Sequence, residues 1–357
     1  LLYLSIVNVG QDFYSFQWDM LLLETGLLAV LLGYSSVIVW MFRWLLFRLM
    51  FLSGAVKLLS GDATWSSLGA LSVHYQTQPI PTPLAWYAHQ LPASLQRAST
   101  GIVLFIELII PFLVLGPRRL RIFAALWLIG LQVLIMLTGN YAFFNWLTLA
   151  LCLFLFDDMS LRRFFPSREF AREMLRPAIA WTATAIIAVL SLGWMWQTFT
   201  GRPPGVLAYT APFGITSSYG LFATMTTRRG EIVVEGSNDG ELWQEYEFPY
   251  KPGRLDRRPP WVAPHQPRLD WQMWFAALSY YQQNGWFVNL AARLLQGSPP
   301  VVALLERNPF PSAPPKYIRA QMYEYTFTRR GEKQWWSRRL LGPYLPAISL
   351  DSFQRRE

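Results

Sequence analysis

Residues 37–59 read VIVWMFRWLLFRLMFLSGAVKLL, and residues 60–92 continue as SGDATWSSLGALSVHYQTQPIPTPLAWYAHQLP. The first run is an apolar helix long enough to cross a bilayer. Unlike a plain anchor, it carries Arg43, Arg48 and Lys57. Each charge at mid-membrane costs about 2.5 to 3.5 kcal/mol on insertion scales, so these groups are expected to face protein or trapped water. Helical spacing places Arg43, Gly54 and Lys57 on one stripe, with Arg48 about 140° away.

The surrounding composition agrees with a membrane setting. The chain is 53% hydrophobic and only 15% charged, against about 25% charged in soluble domains, and its mean hydropathy is +0.22. Aromatic residues make up 16%. Hydropathy falls after about residue 200, which predicts a polytopic α-helical membrane bundle over residues 1–197 and a C-terminal extramembrane α+β, β-sandwich-like domain over residues 198–357. The opening LLYLSIVNVG has no basic n-region and is not a signal peptide, so the natural N-terminus is expected upstream. A lone Cys152 excludes an intramolecular disulfide and a CxxC redox pair. The net charge of +9 sits mainly on arginines in short loops between apolar runs, a pattern that orients a membrane protein and gives no support to nucleic-acid binding.

Apolar segments at about 19–33, 37–59, 100–116, 120–138, 141–156 and 178–196 are the expected membrane helices, several of them at the short end. The Arg-rich loops 117–121 (PRRLR) and 157–177 are cytoplasmic by the positive-inside rule. Counting crossings from them puts the loop 60–99, the GNYAFFN turn and everything after residue 197 on the opposite side. Beyond the last helix, EIVVEG and WQEYEF flank Ser-Asn-Asp-Gly, which predicts a β-hairpin. Residues 316–328 (KYIRAQMYEYTFT) read as a further strand, and residues 271–297 and VVALLERN have helical periodicity. The cluster Trp271, Trp274, Phe275, Trp286 and Phe287 either packs on the β-layer or lies at the membrane interface.

Several motifs in this frame are long and unusual. SGDATW, HYQTQPIPTPLAWYAHQLP, EGSNDGELWQEYEFPYKPG and APHQPRLDWQMWFAAL resemble the lipase maturation factor family, and QWDMLLLETG with FRWLLFRLMFLSGAVKL extends the likeness over nearly the whole chain. The resemblance implies a polytopic membrane protein of the animal endoplasmic reticulum with a luminal C-terminal part, needed for secreted homodimeric lipases to fold and assemble. The chain has no N-x-S/T sequon and uses Arg almost to the exclusion of Lys, which points to a bacterial member in the inner membrane with its C-terminal domain in the periplasm. In a eukaryote the same topology places it in the endoplasmic reticulum membrane. SGAVKL followed by Trp65 is also similar, over a short span, to DoxX-like and vitamin K-dependent carboxylase-type membrane domains. EGSNDGELW resembles a turn of discoidin-like β-sandwiches.

Three groups of residues are candidates for a site. Arg48, Lys57 and Glu107 lie at membrane depth, where Glu107 needs a cationic partner and Arg48 is the expected one; they form either a structural pair or a substrate or lipid site. Asp62, His74 and His89 belong to the extracytoplasmic loop stiffened by Pro79, Pro81, Pro83 and Pro92, and their spacing fits no tight metal motif. His265, Arg268, Asp270, Trp271 and Trp274 are the candidate client-binding group, with Asp270 alternatively capping a helix and pairing with Arg268. No metal and no cofactor are expected. GxSxG, HExxH, Walker and GxGxxG motifs are absent, and the three histidines and one cysteine leave most hydrolase and redox mechanisms short of groups.

The reading is therefore a membrane-embedded maturation or folding factor for secreted lipases or other exported proteins, whose partners are a client such as a lipase, membrane lipids and a larger membrane complex. The rivals are a membrane enzyme acting on a lipid or quinone-like molecule, and a structural subunit of an envelope complex.

Overall fold

A computed structural model describes residues 1–161 and 177–354; most of the second Arg-rich loop, residues 162–176, lies outside them. Helices α1 (Leu2–Gly10) and α2 (Gln17–Leu31) precede α3 (Val37–Leu59), whose bounds match the charged apolar run. Next come α4 (Ala63–Ser66), α5 (Ala70–Thr77), α6 (Pro83–His89), α7 (Ala93–Leu108), α8 (Ile110–Val114), α9 (Arg118–Thr138), α10 (Phe144–Leu153) and α11 (Asp158–Leu161). After α12 (Pro177–Thr200) and α13 (Gly205–Thr210) the chain forms β1 (Arg229–Ser237), β2 (Gln244–Glu245), α14 (Arg268–Ala276), α15 (Gly285–Leu295), α16 (Pro299–Val302), β3 (Tyr317–Phe327), β4 (Trp336–Ile348) and α17 (Asp351–Gln354).

Two compact units interleave along the sequence. One comprises Leu1–Ser72, Pro92–Met136 and Phe143–Met225, the other Val73–Leu91, Leu137–Ala142 and Thr226–Glu357. Hydropathy divides the chain near residue 197, whereas compactness gathers residues 198–225 with the helices and two loop segments with the sheet.

In the helical unit, four helices are long and apolar enough to cross a membrane: Val37–Leu59, Ala93–Val114, Arg118–Thr138 and Ala178–Thr200. The chain is a multi-pass membrane protein. Two of the six expected segments are shorter: α2 and α10, at 15 and 10 residues, rise only about 22 and 15 Å against a hydrocarbon core of about 30 Å. The central helix is α3, buried along most of its length. It ends where Gly61 adopts a left-handed φ of 70°, a conformation that costs glycine nothing. The outer helices α9 and α12 expose Leu126, Leu134, Val189 and Trp196, the surface expected of helices that meet lipid. Ile109 separates α7 from α8, and Pro111, in the first turn of α8, has no N–H to donate back to α7.

The described parts of both Arg-rich loops meet at one end of this bundle. Arg118 forms an ion pair with Asp157 and donates to Ser160 Oγ at 3.2 Å. Nearby, Arg121 Nε donates to the Leu155 carbonyl at 2.8 Å and Arg43 Nε to the Phe154 carbonyl at 2.9 Å.

The second unit is built on an antiparallel sheet of order β2-β1-β3-β4. The expected hairpin is present, with Glu235 opposite Glu245 and Gly236 opposite Gln244, and residues 316–328 supply β3. Among the described residues the sheet is single: helices, where a sandwich has a second sheet, pack against β1 and β3. Strand alternation gives its faces different chemistry. Ile232, Val234, Ile318 and Ala320 form an apolar face, and Gly230, on that face, would bring an added Cβ to 3.3 Å from the Ala277 carbonyl at the end of α14. Arg229, Glu231, Glu235, Arg319 and Tyr325 share the other face. β1 is buried on both sides, so its charged residues need partners within the protein.

Candidate functional site

Two of the three charges of α3 are neutralised by carboxylates, in two directions. Arg48 is fully buried and forms an ion pair with Glu24 of α2, while its Nη1 donates to the Ser217 carbonyl at 3.3 Å and Tyr219 donates to Glu24 Oε2 at 2.8 Å. Lys57 Nζ lies 2.7 Å from Glu107 Oε2, 2.9 Å from Oε1 and 3.0 Å from the Ser53 carbonyl. The expected Arg48–Glu107 pair is thus replaced by two others. The reason is helical: nine residues separate Arg48 from Lys57, which turns them about 180° apart. Glu107 packs on the Lys57 side, and Glu24 serves the opposite face. Gly54 makes the Lys57 contact possible, because a Cβ there would sit 2.9 Å from the Glu107 Cβ and 3.0 Å from Leu108. All three ammonium hydrogens of Lys57 are engaged, and the Trp65 ring lies 5.2 Å from its nitrogen.

The loop residues have separate local partners. Asp62 caps α4, accepting from Thr64 N and Oγ1, each at 2.7 Å, and it also accepts from Met225 N at 2.7 Å. Burial pushes its carboxyl up, but these hydrogen bonds outweigh burial and hold it below the usual carboxylate range. His74 Nε2 lies 3.1 Å from Tyr141 Oη, and that hydroxyl donates to Gln78 Oε1 at 2.8 Å. With the phenol proton directed to Gln78, His74 Nε2 is the donor to the phenol oxygen. Burial keeps Tyr141 protonated, holding its pKa well above the ordinary value. His89 packs 5.6 Å from the Phe327 ring. Among the described residues no three His, Cys, Asp or Glu side chains converge as a metal would need.

In the sheet unit the polar face of β1 grips the proline-rich loop. Arg229 donates to the carbonyls of Gln76 at 2.8 Å, Pro79 at 2.7 Å and Gln78, and pairs with Glu231 at 2.6 Å. Lys251 completes the cluster, 2.9 Å from Glu231, and Trp336 lies under the Arg229 guanidinium at 5.4 Å. Burial lowers the Arg229 pKa and the Glu231 carboxylate opposes that shift. Asn140 is a second clamp: its amide donates to the carbonyls of Ile80 at 3.2 Å and Pro260 at 2.9 Å, and its oxygen accepts from Val262 N and Ala263 N at 2.8 and 3.0 Å.

The aromatic helix is part of this construction. Trp271 and Trp274 are buried, and Trp274 Nε1 donates to the Thr77 carbonyl at 2.7 Å. The capping role expected for Asp270 is corrected. Pro267 occupies the N-cap of α14, and Asp270, in the first turn, accepts from the main-chain N–H groups of Tyr250 and Lys251, both at 2.8 Å. Burial raises its pKa while these bonds oppose the rise. His265 is exposed and Arg268 half-buried.

Comparison with known proteins covers both units. A family model described as the lipase maturation factor transmembrane domain matches residues 1–163, and one described as the lipase maturation factor C-terminal domain matches residues 215–346. Lipase maturation factor 2 of Homo sapiens is 37% identical over 98% of this chain and 68% of its own length, and that of Xenopus laevis gives the same figures. Lipase maturation factor 1 of Mus musculus is 35% identical over 99% of the chain and 70% of its own length. The chain belongs to the lipase maturation factor family. No solved structure matches it.

Within this lipase maturation factor architecture, the sequence had not singled out Glu24, Tyr219, Arg229, Glu231, Lys251 or Asn140. Three had a readable signal. Arg229 and Glu231 are two residues apart on a strand whose apolar run predicts burial, so they share a face and need each other. Glu24 follows the leucines of QWDMLLLETG inside an apolar helix, the same context that drew attention to Glu107.

Proposed function

We propose that this chain is a membrane-embedded maturation factor that assists secreted lipases, or exported proteins like them, to reach their folded state. The observation that carries the reading is identity of 35–37% across 98–99% of the chain, spanning both the helical unit and the sheet unit. The site geometry supports action by binding: Arg48 pairs with Glu24 and Lys57 with Glu107, and the polar residues of the sheet unit hold loops in place. We further propose that residues 1–197 form the membrane part, that the loop 60–99 and residues 198–357 face the extracytoplasmic side, and that His265 and Arg268 lie on the client-facing surface. The animal origin of the relatives favours the endoplasmic reticulum membrane over a bacterial inner membrane.

The test is complementation. The chain is expressed in animal cells lacking their own lipase maturation factors, and active lipase in the medium is measured. Restored secretion supports the reading, and inactive lipase at normal expression of the chain overturns it. Single changes at Lys57, His74 or His89 distinguish the rival: complete loss of activity from one of them, in a protein that stays folded and inserted, would replace the maturation factor with a membrane enzyme.

A further inference from the structure

β4 is the outer strand of the sheet, and its main chain pairs with β3 from Trp336 to Ile348. Among the described residues, the only other main-chain bonds at this strand are at its start, where the Leu255 carbonyl accepts from Trp335 N and Trp336 N. From residue 337 onward no main-chain bond is made on the side away from β3 among the described residues. Such an edge presents unpaired N–H and C=O groups at every second residue, about 7 Å apart, a template that another extended main chain fits.

Natural sheets guard such edges with prolines, bulges and charges, and β4 is guarded over one half only. Pro343 and Pro346 lack an N–H, Gly342 has a φ of 144°, and register shifts interrupt the pairing from Leu341, which has no partner between Leu340 and Gly342, to Ile348. Residues 337–340, SRRL, pair with β3 in unbroken register and contain no proline. The guanidinium of Arg338 is held by Glu245 at 2.7 Å, and that of Arg339 pairs with Glu324. Leu340 and Leu341 are 54% and 53% exposed. Just before this stretch, the β3–β4 connection exposes Arg329, Arg330 and Lys333, while Glu332 accepts from Arg329 N at 2.9 Å. The open half of the edge is therefore entered through positive charge.

We propose that the edge of β4 at residues 337–340 captures an extended, acidic and apolar segment of a non-native client polypeptide, which adds to the sheet as a further strand. The hydrogen-bonding pattern requires a polypeptide main chain, the two leucines favour apolar side chains, and the Arg329–Lys333 tip selects acidic ones. This inference rests on the maturation-factor reading and gives that function a capture mode.

The experiment places a photocrosslinking amino acid at Ser337 or Leu341 of the full chain in cells making a secreted lipase, with exposed Leu304 as the control position. Adducts to newly made lipase from Ser337 and Leu341, and not from Leu304, are expected. The double variant Leu340→Asp/Leu341→Asp should lower the Ser337 adduct about tenfold, as loss of a central contact does, at unchanged expression and thermal stability. Charge reversal of Arg329, Arg330 and Lys333 to Glu should lower it as well, by weakening the attraction of acidic segments. Adducts only to a second copy of this chain would overturn the proposal. So would undiminished lipase secretion by the Asp variant without any adduct, an outcome that leaves the maturation reading standing. Failure of the unaltered chain to restore lipase secretion defeats the maturation reading itself, and the two failures are told apart by that control.

Discussion

Arg48 and Lys57 lie on one helix yet answer to different carboxylates, and this partition is testable by coupling. Removing one member of a buried ion pair leaves an uncompensated charge and typically costs about 3 to 5 kcal/mol. Arg48→Met should therefore destabilise the protein by about that amount, and adding Glu24→Gln should recover part of the loss, whereas adding Glu107→Gln should not. In a double-mutant cycle read by unfolding in detergent, Arg48 with Glu24 is expected to couple and Arg48 with Glu107 to be additive. Lys57 with Glu107 should couple in the same way. An Arg48–Glu107 coupling as large as the Arg48–Glu24 one would contradict the two-pair arrangement.

At the scale of elements, the β1–β2 turn and the Arg229 clamp each make a quantitative expectation. Asp239 accepts from Glu241 N and Leu242 N, both at 2.9 Å, and Ser237 Oγ donates to it at 2.9 Å. These bonds hold its carboxyl below the usual range. A carboxyl whose pKa is lower in the folded state contributes stability above the unfolded value, about 3.9, and loses it as pH falls through the lower folded value. Exchange of the Glu241 and Leu242 amides should accelerate in that acidic window relative to the rest of the sheet, and Asp239→Asn should remove the acid-dependent step. For the clamp, Arg229→Met strands the carbonyls of Gln76, Gln78 and Pro79 without their donor. At about 1 to 3 kcal/mol for each buried unsatisfied group, the loss should reach about 3 kcal/mol or more. Limited proteolysis should then cut at residues 76–82, whereas the unaltered protein, in which most of these residues are buried, should resist cleavage there.

For the molecule as a whole, the decisive quantity is which side of the membrane each loop occupies. Arg119 is exposed in the first turn of α9, beside the Arg118 that pairs with Asp157, and Asn238 is exposed at the tip of the β1–β2 turn. With buried Cys152 replaced by alanine, Arg119→Cys in sealed microsomes should react with an impermeant thiol reagent, whereas Asn238→Cys should react only after the vesicles are opened. The reverse pattern would invert the topology, and equal reactivity of both before opening would place them on one side.

Much of the architecture is legible in the sequence because it rests on short-range periodicity. The apolar run at 37–59 becomes α3 without adjustment, and the Ser-Asn-Asp-Gly turn forms its hairpin because the preferences of those residues are local. Strand alternation likewise gives β3. β4 was missed because Gly342, Pro343 and Pro346 interrupt its pattern, as an edge strand tolerates and a central one does not. The need for counter-ions at Arg48, Lys57 and Glu107 also follows from sequence, since charge in an apolar helix must be compensated whatever the fold. Which carboxylate serves which cation is settled by helix packing: Gly54 admits Glu107 to one face of α3, while α2 brings Glu24 to the other. Asp270 shows the same limit. Its residue type and position at a helix start suggest a cap, yet its acceptor capacity goes to main-chain groups about twenty residues away, a contact that exists only once the loop at 250–251 has folded back over the helix.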